Sequence, residues 1–428
     1  MDYMTAQQAA EKWNISDRRV RVLCKESKIY GAIKEGKSYK IPASAMKPAD
    51  GRHKHISYYD NQRALKWGNE VVALINEYNA VIFIKPNYND VVSLYTKEAS
   101  WWSPEKFSEF LLERTVSRER RDIEKVLFRF NLSQYDVFNI AQITRGIHPK
   151  DLFWIAHNEN ETYETVITDV FKSVFYKKSD LIGDSIDTPE GYNIKRYGVY
   201  ENQYGIFKQR INPLVTDVES EIAVYLLAKK LDIPCCPAYR VDNDTVFSAF
   251  LYDFSKEYIV HFRRLFDGQR SENEYQNLIN VRPQYKDDIA RMILLDFITR
   301  QDDRHLSNIA IKMSGKKESF YPLYDNGRSL FYEDTEEMVE KAVSDSAAYA
   351  TSFGYSGTYW DYVQEIAKEQ DLSKLINLNI SKDEIADILK EAGFKDYRFE
   401  GALEWIVKAI EVVKVKSEFK NPYKTGEK

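Results

Sequence analysis

Apolar positions recur along this chain with two different periods, and each change of period marks an element. Near the start Ala6, Ala9, Ala10 and Trp13 fall on one helical face, with Thr5 and Gln8 spaced as a capping box. Asn14, Ile15 and Ser16 make a turn, and Ser16 caps a second helix from Asp17 to about Ser27 with Val20, Leu23 and Cys24 inward. Residues 32–42 alternate around Gly36 as a hairpin, and the charged, turn-rich stretch 48–57 predicts a linker. From 58 to about 165 the pattern is mostly helical: 65–78 and 104–115 are amphipathic, 81–84 is a short strand, and Trp101 and Trp102 are expected in buried packing. Residues 193–199 and 204–210 predict two strands around a turn at 200–203, followed by a helix over 217–230. Strands follow at 238–241 and 245–251, and the apolar run 289–299 predicts a buried helix. Residues 309–313 and 320–324 predict the two strands of a hairpin. Residues 345–375 are aromatic and irregular before turning helical. Ser381 and Glu384 open a helix over 382–391, and 400–415 is a last amphipathic helix with Leu403, Ile406, Ile410 and Val413 inward. The tail from Ser417 is polar.

Length adds that 428 residues accommodate two to four domains with a large core. Cys24 and the adjacent Cys235 and Cys236 make neither a disulfide framework nor a zinc site, which implies a reducing cytoplasm. Asp2 follows Met1 with no apolar core behind it, so no signal peptide is expected, and no run of eighteen apolar residues predicts a membrane span. The net charge of −5 argues against a wholly nucleic-acid-binding protein. That charge is uneven, however: residues 1–54 carry 12 Lys and Arg against 6 Asp and Glu, or +6, and the remainder carries −11.

The chemistry is concentrated in residues 292–330. Asp303-Arg304-His305-Leu306-Ser307-Asn308 sets an acid five residues before an amide, and Tyr324-Asp325-Asn326-Gly327 follows the predicted hairpin. Asp and Asn are each common in turns. Together, at this spacing, they supply what a phosphoryl-transfer loop needs: a carboxylate for the attacking hydroxyl, a neutral oxygen for magnesium and a second carboxylate on the same metal. The hairpin is expected to bring Asn308 and Asp325 to adjacent strand ends. Lys208 ends an apolar strand ahead of an acidic helix carrying Glu219 and Glu221.

This stretch resembles the catalytic core of HipA-like serine/threonine kinases, bacterial relatives of the protein-kinase fold. The resemblance spans about 165–415 and implies ATP and Mg²⁺ as cofactors. It implies Asp303 as base, Asn308 and Asp325 as metal ligands, Lys208 at the nucleotide phosphates and Glu221, preferred over Glu219, as its partner. Residues 183–191 contain two glycines rather than a glycine triplet. Ser185, Thr188 and Gly191 would line the phosphates with help from Lys195, and residues 250–254 would be the hinge that receives adenine. Residues 117–132 and 151–157 resemble the helical lead-in of such kinases. Phosphoinositide kinases share an Asp-Arg-x-x-x-Asn loop followed by Asp-x-Gly, so the acceptor stays open.

Residues 1–48 resemble the excisionase or MerR-like winged helix-turn-helix family, with Tyr39-Lys40-Ile41-Pro42 as the wing motif. That resemblance implies duplex-DNA binding through Arg18, Arg19, Arg21 and Lys25 of the second helix and Lys34, Lys37 and Lys40 of the wing. Short basic helices are also often no more than solvated faces, and the same fold serves protein contacts.

The expected architecture is α+β. A winged helix-turn-helix occupies 1–50, a mainly helical middle region 51–165, and a two-lobed, protein-kinase-like fold of HipA-like type follows, with its small lobe at 166–254 and large lobe at 255–420. The expected function is an ATP-dependent serine/threonine protein kinase with its own DNA-binding module, in a toxin–antitoxin or transcription-regulatory role and as a homodimer on DNA. The rivals are a DNA-binding regulator with a nucleotide-sensing pseudokinase, and a phosphoinositide or small-molecule kinase.

Overall fold

The computed structural model describes residues 3–13, 15–26, 29, 31–43, 45, 47, 63–119, 123–158, 160–170, 194–210, 212–266, 273–344 and 358–418. The chain forms two compact units, Met1–Leu111 with Phe153–Thr162, and Leu112–Leu152 with Tyr163–Lys428. Residues of the stretch 51–165 fall in both units.

In the first unit β1 (Tyr3–Thr5) leads into α1 (Ala6–Trp13) and α2 (Asp17–Lys25), and the hairpin of β2 (Ile33–Glu35) and β3 (Ser38–Pro42) closes on β1 in the order β1-β3-β2. Both helix starts are capped: the Thr5 hydroxyl accepts from the N–H of Gln8 while the Gln8 side chain accepts from the N–H of Thr5, and Ser16 accepts from the N–H of Arg19. Ala6, Ala9, Ala10, Trp13, Val20, Leu23 and Ile41 form the small core between them.

The same unit holds a five-stranded antiparallel sheet where helices were expected. Its strands β4 (Arg63–Trp67), β5 (Glu70–Ile75), β6 (Val81–Phe83), β7 (Trp101–Trp102) and β8 (Phe153–Ala156) run in the order β7-β6-β5-β4-β8. Residues 65–78, read as one amphipathic helix, are two strands and two turns. Gly68 takes a left-handed φ of 55° at the first turn. Ala64, Leu65, Lys66 and Trp67 are all buried, and a run buried on both faces of a central strand has no period to separate it from a helix. Helices α3 (Asp90–Thr96) and α4 (Pro104–Leu112) complete this part, with Trp102 buried against Phe83 and Phe110.

The second unit contains α5 (Ile123–Arg129), α6 (Val137–Thr144) and α7 (Tyr163–Val170). A four-stranded antiparallel sheet of β9 (Ile194–Tyr200), β10 (Gln203–Gln209), β11 (Ala238–Asp242) and β12 (Thr245–Ala249) runs in the order β11-β12-β10-β9, with α8 (Asp217–Lys230) between its second and third strands in sequence. A three-stranded sheet follows: β13 (Glu257–His261), then β14 (Ala310–Ser314) and β15 (Lys317–Phe320) beyond α9 (Phe262–Leu265), α10 (Glu274–Val281) and α11 (Lys286–Thr299). The second hairpin strand ends at Phe320, earlier than the 320–324 expected, and the chain reaches Asp325 through an irregular run. Pro322 has no N–H for a ladder, and Leu323 instead makes a single parallel bridge with Cys235. The remaining helices are α12 (Glu336–Ser344), α13 (Tyr359–Glu369), α14 (Lys382–Glu391) and α15 (Asp396–Glu418). α11 is buried from Ile289 to Ile298 apart from Arg291 and packs against α13 and α15. Among the described residues no helix is long and apolar enough to cross a membrane.

Gly205 and Gly198 face each other across β10 and β9, beneath the rings of Phe207 and Phe247. A methyl group on Gly205 would press on the Ser248 carbonyl and the Phe247 ring. Gly205→Ala is therefore expected to destabilise the second unit by about 1–3 kcal/mol, as overpacking does. Denaturant unfolding checks this, with an unchanged midpoint counting against a tight sheet.

Candidate active site

Two adjacent strands of the second unit bring lysines to one carboxylate, Asp325. β10 carries Lys208 and β9 carries Lys195 directly opposite it in register. The Lys208 ammonium donates to Asp325 Oδ1 at 2.8 Å and to Glu221 Oε1 at 2.9 Å, and Lys195 donates to Asp325 Oδ2 at 3.3 Å. Glu221 comes from α8 and its side chain is only 3% exposed. It also accepts from the Ser248 hydroxyl of β12 at 2.9 Å and from the N–H of Asn326 at 2.9 Å. Glu219, the other candidate, turns away to form a two-pronged pair with Arg210 at 2.7 and 2.8 Å.

The loop after α11 supplies the rest. Asn308 donates its amide nitrogen to the Asp303 carbonyl at 2.9 Å, which leaves the amide oxygen as its acceptor group. The N–H of Asp303 bonds to Gln301 at 2.9 Å, and Gln301 reaches the Asp325 carbonyl at 3.3 Å. The Tyr324 hydroxyl donates to the Ser307 carbonyl at 2.9 Å. Asp325 holds a left-handed φ of 58°.

The electrostatics separate the two aspartates. Burial raises the Asp303 carboxyl above its ordinary range, and the nearby Asp325 charge adds to this while His305 opposes it. Burial works against the Asp325 charge too, but Lys195 and Lys208 outweigh it and hold its carboxyl well below the usual range. For Lys208 burial is likewise outweighed by Asp325 and Glu221, so its ammonium is held firmly protonated. Burial pushes the neighbouring thiols up, Cys236 to about 12, so neither Cys235 nor Cys236 is primed as a nucleophile.

Asp303, Asn308 and Asp325 offer hard oxygen donors, the set that suits magnesium. Among the described residues no group of three or more His, Cys, Asp or Glu side chains could hold a metal ion by itself. Magnesium here would thus take part of its coordination from phosphate oxygens.

Several participants escaped the sequence reading: Ser248, Asn326, Gln301 and the pair of Asp296 with Arg304. Asp296 did leave a trace, as the one acid among the apolar residues of 292–298. Of the other expected positions, Ser185, Thr188 and Gly191 lie outside the described residues. At 250–254, the Leu251 N–H is bonded to the Tyr321 hydroxyl at 3.1 Å. In the N-terminal module Arg18, Lys25, Lys34 and Lys37 are exposed and Arg19 is half-buried. Arg21 bonds to Asp17 at 2.8 Å, and Lys40 pairs with Glu35 at 2.7 Å.

No protein-family profile matches the chain, and no curated protein matches it. Among solved structures it is similar to the Helicobacter pylori proinflammatory kinase CtkA, at 16% identity over 53% of this chain and 92% of that chain, with a TM-score of 0.43. It is also similar to a chain of the Shewanella oneidensis MR-1 toxin–antitoxin system HipA, HipB and its operator DNA complex, at 11% identity over 84% of this chain and 100% of that chain, with a TM-score of 0.42.

Glu221 offers a direct test of this geometry. Glu221→Leu removes the acceptor for Lys208, Ser248 and the Asn326 N–H together, and is expected to cost about 3–5 kcal/mol. Glu221→Gln keeps an acceptor oxygen and is expected to cost less. Unfolding of the two variants side by side checks this, and equal losses would show that the acceptor is unimportant.

Proposed function

We propose that the second unit is an ATP- and magnesium-dependent serine/threonine protein kinase, and that residues 1–50 form a winged helix-turn-helix that binds duplex DNA. The observation that carries the kinase reading is the convergence of Lys208 and Lys195 on Asp325, with Glu221 bonded to Lys208 and with the loop that holds Asp303 and Asn308 tied to the Asp325 segment through Gln301 and Arg304. Magnesium-bound ATP supplies the transferable phosphoryl group and neutralises charge on its oxygens. Lys208, oriented by Glu221, and Lys195 would meet the phosphate oxygens. Asp325 and Asn308 would hold the metal, with Ser185, Thr188 and Gly191 as the expected phosphate-lining positions. Asp303 orients the acceptor hydroxyl and takes its proton, a task suited to a carboxylate whose proton affinity is raised. The strongly depressed Asp325 stays ionised, as a metal ligand must.

The DNA-binding reading is supported by the +6 charge of residues 1–54, by the capped α1–α2 pair with its hairpin, and by the exposure of Arg18, Lys25, Lys34 and Lys37. A module this small contacts few phosphates, so specific binding calls for two copies on a twofold site and hence a homodimer. A regulatory or toxin–antitoxin kinase that acts in the cytoplasm fits the combination.

Transfer of labelled phosphate from ATP to protein tests the kinase reading. Asp303→Asn is expected to retain ATP binding and lose about 10²–10⁴ in rate. Because the base works only when ionised, wild-type transfer should fall on the acid side at a pH above the ordinary aspartate value of about 4, and Asp303→Asn should lack that limb. ATP binding without transfer to protein would recast the unit as a nucleotide sensor, and transfer to a lipid or small molecule alone would move it to another kinase class.

For the DNA module, footprinting of the full chain on the DNA upstream of its own gene should show protection that weakens steeply with salt. Replacing Arg18 and Arg19 together by Ala is expected to reduce the slope of log affinity against log salt by about 2. No protection at low salt by folded protein would leave residues 1–50 as a protein-contact domain.

A further inference from the structure

Arg304 stands between Asp303 and His305 and is fully buried, at 0% exposure. A guanidinium has five N–H donors, and here all of them are engaged. Nε and Nη2 grip the two oxygens of Asp296 on α11 at 3.0 and 2.9 Å. The second Nη2 donor reaches Asn326 Oδ1 at 2.7 Å, and Nη1 reaches the carbonyls of Tyr324 at 2.8 Å and Asn308 at 3.3 Å. Among the described residues Asp296 is the acid paired with Arg304, and its own side chain is 1% exposed. The other three bonds have a different distribution. Tyr324 and Asn326 bracket Asp325, and Asn308 is the amide of the catalytic loop. One rigid, planar group thus spans the two segments that carry the site's oxygen ligands.

A buried ion pair alone is weak evidence of a contribution to stability, since apolar residues of similar volume often serve as well. Five bonds in a fixed fork do something a packed apolar side chain cannot: they set a distance. We propose that Arg304 is a positioning residue that fixes Asn308 and Asp303 relative to Asp325, and so governs the site's response to magnesium rather than its hold on the nucleotide. This rests on the reading of the site as a magnesium–nucleotide centre. Lysine is not an equivalent, because its ammonium is a point charge with three donors and cannot span the same acceptors.

The test uses the full chain and two variants, Arg304→Lys and Asn326→Ala. The second keeps the Asp296 pair and removes a single bond to Arg304, so it decides the matter if the first fails to fold. Binding of a fluorescent ATP analogue is measured in EDTA and across a magnesium titration, alongside thermal unfolding and steady-state transfer. Both variants should bind the analogue in EDTA as the wild type does. Arg304→Lys should need about tenfold more magnesium to reach the tightly bound state, as changes behind a metal's own ligands commonly require. Asn326→Ala should shift the same way by less, and kcat should fall without a matching rise in KM for ATP. A lowered unfolding temperature with unchanged magnesium dependence in both variants would overturn the proposal and leave Arg304 a structural anchor. Wild-type protein that gains no affinity for the analogue on adding magnesium would instead overturn the reading of the site itself, before any variant is compared.

Discussion

A carboxylate taken out of water must be answered by charge and by donors, and the second unit is arranged to answer Glu221. Its three partners come from three places: Lys208 from β10, Ser248 from β12 and the N–H of Asn326 from the irregular run after β15. Losing any one leaves a buried group short of a bond, at a cost of about 1–3 kcal/mol. α8 is thereby tied to the four-stranded sheet on one side and to the Asp325 segment on the other. Ser220 extends the same link by donating to the Ser329 carbonyl at 2.7 Å. The placement of Asp325 thus depends on a helix more than 90 residues away in sequence.

Two aspartates of one site are pushed in opposite directions without any difference in residue type. Asp303 is raised chiefly by burial, with the Asp325 charge adding to it and His305 opposing, so its proton is held more tightly. Asp325 has a lysine on each oxygen, so its proton is lost more readily. Paired carboxylates whose proton affinities are pushed apart are how active sites generally separate an acid or base from a permanent anion. The divergence here follows from the register of β9 with β10, which sets Lys195 opposite Lys208.

Local signals in the sequence located much of this. The helix expected over 217–230 is found at those residues, with charged first and last turns to mark its ends. The Ser381–Glu384 box opens α14 as read. Where the local signal was ambiguous, the reading failed: 65–78 had apolar residues enough for a helix face, and only its place inside a sheet decided otherwise. The site was legible as a list of residue types at suggestive spacings. The supports were not, because Asp296, Ser248 and Asn326 are joined to their partners by tertiary contact and have no periodic signature. The competition between Glu219 and Glu221 shows the limit well, since both stand in the first turns of α8 and Arg210 claims the first of them.

The left-handed backbone at Asp325 bears on how mutational tolerance at this position is interpreted. Asparagine enters that conformation readily, while most other side chains meet a steric penalty of about 1–2 kcal/mol. A library that samples many substitutions here mixes two defects, a lost carboxylate and a twisted main chain. Asparagine, which keeps the shape and drops the charge, isolates the first. Glycine, which accepts the twist with no side chain at all, bounds the second.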